Sequence, residues 1–440
     1  MRPLFLILFL TAFTVSCNQN KETRKWVVQA PAGSEYLKVN KQGKTILPNG
    51  RFIEPYGKTY TTAPHPFGLI MSPDGHIAVT ANSGTSPLSV TILKNIFSQN
   101  PEIRQVPEGA YTDKGILASV FMGLAISPDN QILYVAGGQE SVVYLFDINN
   151  GEKLGEIDCS EDHSHGYIGD MKLSKDGQRL YAVDQINFSL LVIDTQQHKV
   201  IERIPTGRYP FGLELSPDGK KAWVANVGMY EYSILPGMDR ENLDSTAWDF
   251  PAYAYLSKES IDGMVKDSIE IPGLGDPNVP ESFSVWGVDL KTNKVISKIK
   301  TGFLVGEEIE GIPAVGGASP NSVVATNQYV FVSNGNNDCV SVIDVAADSV
   351  VKNIFLSPDE RLKTFRGVIP FGLCLSPDKK RLYVAESGIN AIGVINVEAL
   401  DVIGHIPAGW FPSKIGMSND GQKLVVANAK GFGSGPNGGS

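Results

Sequence analysis

The chain of 440 residues has a net charge of −9 and no cluster of basic residues, which argues against nucleic acid as a partner. Hydrophobic residues make up 42% of it, and 45 glycines and 27 prolines suit many short strands and turns. We therefore expect one large all-β domain rather than several packed domains. We also expect a monomer.

Residues 1–17 combine a basic residue, a short apolar run and then small residues before Cys17. The run is too short for a transmembrane helix and predicts a signal peptide, hence export. Its Val-Ser-Cys ending resembles a bacterial lipoprotein signal, which implies cleavage and a lipid on Cys17, although Thr14 departs from the usual leucine. The alternative is an ordinary secretory signal. Asn18 after the cysteine favours the outer membrane, facing the periplasm or the cell surface.

Residues 18–43 read as a polar tether and lead-in. The three later cysteines, Cys159, Cys339 and Cys374, form no CxxC or CxxCH motif, which indicates neither a disulfide framework nor covalently bound haem. We assign no cofactor.

A repeated turn dominates the rest of the chain. Seven turns begin at Ser72, Ser127, Ser174, Ser216, Thr326, Ser376 and Ser418, most of them with Ser-Pro-Asp-Gly or a close variant. Consecutive turns start 42 to 55 residues apart, except for 110 residues between Ser216 and Thr326. Proline and glycine fit the two corners of such a turn, so each copy predicts a β-hairpin.

Beyond most hairpins lie two more strand-like runs with a polar turn, as in 189–204, 284–299 and 340–355. Two hairpins give a four-stranded blade, and a period near forty residues is typical of a propeller. Sustained helical spacing, which a helical solenoid would need, is nowhere seen. We predict a seven-bladed all-β propeller over 44–430.

The two ends of the chain predict how the ring closes. The last repeat has one hairpin, 412–428, and 44–55 reads as a spare hairpin near the N-terminus. We expect these to pair into the seventh blade, followed by a glycine-rich tail at 431–440.

The repeats "LYVAGGQESVVYLFDINNGE" (133–152) and "FVSNGNNDCVSVIDVAADSVV" (331–351) resemble the YVTN-type (YncE-like) seven-bladed propellers of bacterial surface and periplasmic proteins. The likeness spans about 45–430 and speaks to fold more than to activity. In addition, 271–290 and "ANAKGFGSGPN" are similar to the propeller half of proteins that fuse this domain to an alkaline-phosphatase-like phosphoesterase. That likeness implies a phosphoesterase partner, but this chain has no phosphatase nucleophile or metal-ligand set to which activity could be assigned.

The long connections indicate where function lies. We expect 109–120, 158–167, 301–319, 355–369 and an insertion at 229–281 to emerge on one face, and loops on a rigid scaffold often bind ligands. The insertion carries Tyr230, Tyr232, Trp248 and Tyr253, which suit stacking on a glycan or peptide. The alternative is that these aromatic residues form the insertion's own small core.

The mouth of the central channel is the second candidate site. Four residues before each turn the repeat favours glycine, but Asp170 and Lys414 replace it in two blades, facing the axis from well-separated sides. Departures from a repeat concentrate at functional sites. Arg208, His163, His165, Arg366 and Trp410 lie in adjacent loops. We expect these residues to bind a polar ligand such as a small metabolite, unless the charges are simply solvated or paired with neighbours.

Two chemical alternatives remain. The His-x-His of 158–170, with its flanking carboxylates, could hold a metal, although such loops are usually solvated. A lactonase-type hydrolase would need several acids converging with a base or metal at the channel mouth, and the inner strands supply Asp170 alone. We therefore expect a binding or scaffold module more than an enzyme.

Overall fold

The computed structural model describes residues 29–40, 43–84, 86–161, 166–232, 237–239, 242–246, 256–266, 268–309 and 311–431. Within them the regular secondary structure is almost entirely β-sheet, as the composition predicts. Residues 1–28, with the predicted signal and Cys17, and the tail 432–440 lie outside this description.

The strands follow one another as short hairpins. In chain order they are β1 (Thr45–Ile46), β2 (Phe52–Ile53), β3 (Pro66–Met71), β4 (Ile77–Asn82), β5 (Ser89–Lys94), β6 (Glu102–Val106), β7 (Leu124–Ile126), β8 (Ile132–Ala136), β9 (Val142–Asp147), β10 (Lys153–Asp158), β11 (Ile168–Leu173), β12 (Arg179–Asp184), β13 (Ser189–Asp194), β14 (Lys199–Pro205), β15 (Pro210–Leu215) and β16 (Lys221–Asn226).

The second half continues the pattern after an insertion whose described residues include two short helices. Its elements are α1 (Leu243–Thr246), α2 (Lys258–Asp262), β17 (Gly263–Lys266), β18 (Ile269–Pro272), β19 (Ser284–Asp289), β20 (Lys294–Lys300), β21 (Glu308–Ile309), β22 (Ile312–Pro313), β23 (Pro320–Ala325), β24 (Tyr329–Asn334), β25 (Cys339–Asp344), β26 (Ser349–Phe355), a 3-10 turn (Glu360–Leu362), β27 (Pro370–Leu375), β28 (Arg381–Glu386), β29 (Ala391–Asn396), β30 (Asp401–Pro407), β31 (Trp410–Met417) and β32 (Leu424–Gly431).

The repeated turn is stabilised by its own side chains. In the first copy, the Ser72 hydroxyl donates to the Asp74 carboxylate at 2.5 Å and accepts from the Ile77 backbone N–H at 2.9 Å. The same carboxylate accepts from the His76 N–H at 3.0 Å. These local hydrogen bonds fix the hairpin turn, which is why the motif predicts the strands on either side of it.

The described strands confirm a propeller of four-stranded blades, but their number differs from the prediction. Six four-stranded antiparallel sheets are present, beginning at β3, β7, β11, β15, β23 and β27. The seventh repeat contributes only the two-stranded sheet β31–β32. The prediction of seven four-stranded blades is therefore wrong by one.

The expected pairing of 44–55 with 412–428 is also wrong. In the described residues β1 pairs with β2, and β31 with β32. The N-terminal segment instead contacts the sixth blade. The Tyr56 N–H donates to the Pro407 carbonyl at 3.1 Å, and Arg51 Nη1 donates to the Gly388 carbonyl at 2.9 Å. The two-residue strands β1 and β2 bond to each other and so leave the last sheet with two strands.

The sheet β31–β32 nevertheless closes the ring. Ser413 Oγ donates to the Pro66 carbonyl at 3.0 Å, and Asn419 Nδ2 donates to the Pro73 carbonyl, also at 3.0 Å. On one side Ile415 packs with buried residues of the sixth blade, and on the other Val425 packs against those of the first. Similar apolar layers fill the spaces between the other neighbouring sheets. Burial between blades is the main stabilising term.

The long connections join blades or the middle strands of one blade. Those at 109–120, 158–167, 301–319 and 355–369 lie between the last strand of one blade and the first of the next, and 229–281 lies between β16 and β19. Because all inner strands run in the same direction along the axis, these connections emerge on one face, called here the long-loop face. No helix in the described part of the chain is long and apolar enough to span a membrane.

Candidate functional site: the central channel

The inner strands enclose a cavity of about 300 Å³ along the propeller axis. It extends from Met122, near the long-loop face, to Pro73 in the first short turn at the opposite end. Most of its lining residues are apolar, but polar atoms make up the larger part of the surface that the cavity exposes, and four charged side chains line it: Asp170, Lys172, Glu214 and Lys414. A concave site with a small number of placed polar groups is the usual form of a small-molecule site.

The glycines four residues before the turns are required by strand packing. A Cβ on Gly68 would collide with the Met122 carbonyl oxygen of the next blade, and one on Gly212 would lie 2.5 Å from the Asn321 carbonyl oxygen. At the same level Asp170, Ser322 and Lys414 carry side chains, and all three line the cavity. Departures from glycine therefore mark where polar groups enter the channel.

Asp170 and Lys414 form an ion pair across the channel, with Lys414 Nζ 3.5 Å from Asp170 Oδ2. The expectation that they stay apart is wrong, because the lysine side chain is long enough to span a narrow channel. Both side chains are largely buried, at 11% and 16% exposure. Asp170 also accepts the backbone N–H groups of Met171 at 3.1 Å and Leu213 at 3.3 Å.

A second ion pair, which the sequence did not predict, lies two residues further along the inner strands. Lys172 Nζ is 2.9 Å from Glu214 Oε2, joining the third and fourth blades. Burial would lower the pKa of Lys172, but the charges of Glu214 and Asp170 outweigh it and hold the pKa above its ordinary value. Lys172 is therefore protonated at neutral pH. The cavity holds two cations and two anions.

Four phenylalanines close the channel at the long-loop face. Ring centroids are 5.9 Å apart for Phe67–Phe121, Phe121–Phe211 and Phe211–Phe371, and 5.1 Å apart for Phe371–Phe67. The contacts form a closed cycle among four blades, here called the phenylalanine ring. Register shifts at this level interrupt the pairing in the first, fourth and sixth blades, and such bulges redirect side chains.

The phenylalanine ring has a sequence signal that the search for charged departures overlooked. Phe67, Phe211 and Phe371 are the middle residues of three Pro-Phe-Gly repeats, whereas the second copy reads Phe-Met-Gly and Phe121 lies one position earlier, where the other copies have proline. His65 stacks on Phe67 with centroids 5.3 Å apart and rings nearly parallel. Burial lowers the pKa of His65, so this side chain extends the apolar surface as a neutral ring.

The other residues predicted for the mouth have contacts elsewhere. Arg208 donates to the Met229 carbonyl at 2.7 Å and so fixes the base of the insertion. Arg366 donates to the Ile309 carbonyl at 3.0 Å. Trp410 is half-buried beneath Lys430, whose Nζ lies 5.6 Å from its ring centroid. These contacts place the three residues around the long-loop face rather than inside the cavity.

The insertion places its two described aromatic candidates differently. Tyr230 is buried at 4% exposure and packs edge-on against Tyr232, with centroids 6.2 Å apart. Tyr232 is 64% exposed. Tyr230 thus belongs to a local core, and only Tyr232 of this pair offers a ring face to a ligand. Trp248 and Tyr253 lie outside the described residues.

The candidate metal loop is only partly described, because His163 and His165 fall in the undescribed 162–165. Elsewhere in the described chain no group of three or more His, Cys, Asp or Glu side chains could hold a metal ion. Cys159, Cys339 and Cys374 are free thiols, and burial raises the pKa of Cys374, beside the channel, to about 11. It is therefore a protonated, weakly reactive thiol.

The comparisons with known proteins bear on the fold. No protein-family model matches the chain, and no curated protein is similar to it. Among solved structures the chain is similar to the hydrazine synthase of Kuenenia stuttgartiensis, with a TM-score of 0.56 and 19% sequence identity. The similarity covers 85% of this chain and 95% of that one. At this identity the likeness supports the propeller fold alone.

Proposed function

We propose that this chain is a binding module of the bacterial cell envelope, exported and attached to the membrane by a lipid on Cys17. Its ligand is a small molecule held in the central channel. The repeat sequences favour the YVTN-type propellers as its family, and the long-loop face is available for a phosphoesterase or another partner.

One observation carries the ligand proposal: four charged side chains lie in a cavity of about 300 Å³ within a rigid ring of blades. Placing charges inside a protein costs free energy even when they are paired, and apolar side chains of similar size would often be at least as stable there. A polar ligand gives these charges a function. This volume is at the lower end of the range that is usual for small-molecule pockets.

Binding is favoured over hydrolysis by the state of the channel carboxylates. Asp170 accepts two backbone N–H groups and faces Lys414, while Glu214 accepts the Leu215 N–H at 3.0 Å and pairs with Lys172. Each oxygen of both carboxylates thus already contacts a protein donor, and only the remaining lone pairs are left for a ligand donor. A general base would instead need a free oxygen directed at a substrate.

Thermal unfolding of the mature protein, with panels of sugars, short peptides and small metabolites, tests the proposal. We expect at least one compound to raise the Tm of the wild type and to lose this effect in Lys414→Met, since a ligand stabilises the state that binds it. The proposal fails if no compound raises Tm, or if each effective compound acts equally on the variant.

A turnover assay on the same sample, with lactones and phosphoesters, separates the binding module from a hydrolase. We expect no turnover above that of buffer. Hydrolysis that is lost in Asp170→Asn would replace the proposed function with a lactonase-type activity.

A further inference from the structure

The two ion pairs of the cavity lie at two levels. Asp170 and Lys172 are two residues apart on β11, so about 7 Å separates them along the strand. Asp170 faces Lys414 across the channel, and Lys172 pairs with Glu214 on the neighbouring strand. The cavity is therefore neutral in sum but divided locally into positive and negative groups.

The two pairs differ in how closely their partners approach. Lys172 and Glu214 are 2.9 Å apart, and the other oxygen of Glu214 accepts the Leu215 N–H. Lys414 Nζ is farther from its acceptor, at 3.5 Å from Asp170 Oδ2, and each of the two ammonium groups has three donors and one acceptor among the described residues. The upper pair is thus the looser one, and Lys414 has donors left for a ligand.

Ser322 supplies an independent indication at the same level. Its side chain lines the cavity, the residue is 3% exposed, and its hydroxyl oxygen has no hydrogen-bond partner among the described residues. A buried hydroxyl without a partner costs free energy that a bound acceptor or donor would recover. Lys414 and Ser322 each lie four residues before their own turn, so both side chains enter the channel at one height.

We propose that the upper part of the channel binds a small zwitterion carrying one ammonium and one carboxylate group, such as an aliphatic amino acid. Its carboxylate accepts hydrogen bonds from Lys414 and Ser322, and its ammonium donates to Asp170. Ile70 and Val324, which lie two residues before their turns and so share the channel-facing side of the inner strands with Lys172 and Glu214, hold the hydrocarbon part.

The charge balance and the size of the cavity support this class of ligand. A lone anion or cation would leave a net charge in a partly dehydrated channel, which is costly, whereas a zwitterion leaves the sum at zero. A volume of about 300 Å³ accommodates an amino acid and excludes an oligosaccharide or a folded peptide. This inference rests on the proposed function, since it names the ligand class of the same channel.

Isothermal titration calorimetry of the mature protein tests the requirement for both charges. The probes are L-leucine, L-methionine and L-phenylalanine, with 4-methylpentanoate and 3-methylbutylamine as the leucine analogues that lack the ammonium or the carboxylate. We expect at least one amino acid to bind, and for leucine we expect each analogue to be at least about tenfold weaker, the effect of losing one charge-assisted hydrogen bond.

Variants then locate the site. Lys414→Met and Ser322→Ala should each weaken binding of the best amino acid, the former by at least about tenfold. Lys352→Met is the matched control, because the ion pair between Lys352 and Asp401 lies on the outer surface. This variant should bind the amino acid with the affinity of the wild type. If Lys414→Met proves unfolded by circular dichroism, Ser322→Ala carries the test, because it removes one oxygen without leaving a charge unpaired.

Three outcomes overturn the inference: the analogues bind as well as leucine, the variants bind as well as the wild type, or none of the three amino acids binds. The last outcome, combined with a sugar or other metabolite that stabilises the wild type but not Lys414→Met, would leave the proposed function standing without this ligand class. If nothing binds and only water occupies the channel in a crystal structure, both fail.

Discussion

Lys414 Nζ lies 3.5 Å from Asp170 Oδ2, although the two residues are 244 positions apart and belong to the last sheet and the third blade. Ordinary contacts in this ring join neighbouring blades. This ion pair instead crosses the axis and ties the two-stranded closing sheet to the opposite wall. It therefore acts on ring stability as well as on the polarity of the cavity.

The two partners should differ in how much stability their removal costs. Asp170→Asn leaves a largely buried ammonium without its counter-charge, and we expect a loss of about 1–3 kcal/mol in the free energy of unfolding. Lys414→Met leaves Asp170 with two backbone N–H donors, and we expect a loss below about 1 kcal/mol. Urea unfolding measures both, and a double variant no more stable than Asp170→Asn would contradict this account.

A second prediction concerns the glycines of the inner strands. Gly68→Ala places a Cβ against the backbone carbonyl of Met122, which cannot move aside as a side chain could. We expect a loss of at least about 1–3 kcal/mol, the cost of overpacking. Gly404→Ala is the control, because its Cβ would meet no atom within 4 Å, and we expect it to be neutral or slightly stabilising. Equal stability of the two variants would show that close strand approach does not explain the repeated glycine.

A third prediction follows from the pair His405–Glu386 in the sixth blade, where His405 Nδ1 lies 2.8 Å from Glu386 Oε2. Burial raises the pKa of Glu386 above its ordinary 4.5, and the hydrogen bond that His405 donates to this carboxylate raises the pKa of His405 above 6.5. Both groups bind protons more tightly when folded. At a pH below the ordinary pKa values, their contribution to the free energy of unfolding is present in full. It is lost as the pH rises through the higher pKa values of the folded state.

Urea unfolding of the wild type and Glu386→Gln between pH 5 and pH 9 measures this contribution. Four sister repeats place asparagine where Glu386 stands (Asn82, Asn226, Asn334 and Asn428), so an amide fits the site. We expect the stability advantage of the wild type over the variant to shrink with rising pH. The difference between the two curves removes the opposite contribution of His65, whose pKa is lowered. A constant difference would rule out the pair as the source.

The fourth prediction concerns attachment to the membrane. Cys17→Ser removes the thiol that would receive the lipid, and we expect the protein to move from the membrane to the soluble fraction. Stable anchoring depends on the buried hydrocarbon of the acyl chains. Cys374→Ser makes the same chemical change inside the propeller and should leave fractionation unchanged. Unaltered membrane association of the Cys17 variant would exclude lipidation at this residue.

Local patterns explain which features could be predicted from the sequence. The Ser-Pro-Asp-Gly turns fix their hairpins through hydrogen bonds within a few residues, as Ser72 and Asp74 show. The positions of the blades can therefore be predicted from the repeat. Asp170 and Lys414 could be recognised as departures from glycine for the same reason. Their pairing could not, because it depends on the channel's width and on the reach of a lysine side chain.

Contacts between distant segments could not be predicted from the sequence either. The phenylalanine ring joins four blades across the axis, and no spacing within one repeat indicates which side chains meet there. The sequence also could not show which strands the segment 44–55 pairs with, because two apolar runs of a few residues can pair with each other or with a neighbouring sheet. In the structure β1 and β2 pair with each other, and the last sheet keeps two strands.

Because of the phenylalanine ring, the central channel is open to a ligand at one end only. With aromatic side chains across the channel at the long-loop face, a ligand must arrive through the opposite end, where the cavity reaches Pro73 in a short turn. A macromolecule seated on the long loops would therefore leave ligand access unobstructed. The two faces can be occupied at the same time, and competition between a partner and a channel ligand would have to be transmitted through the blades.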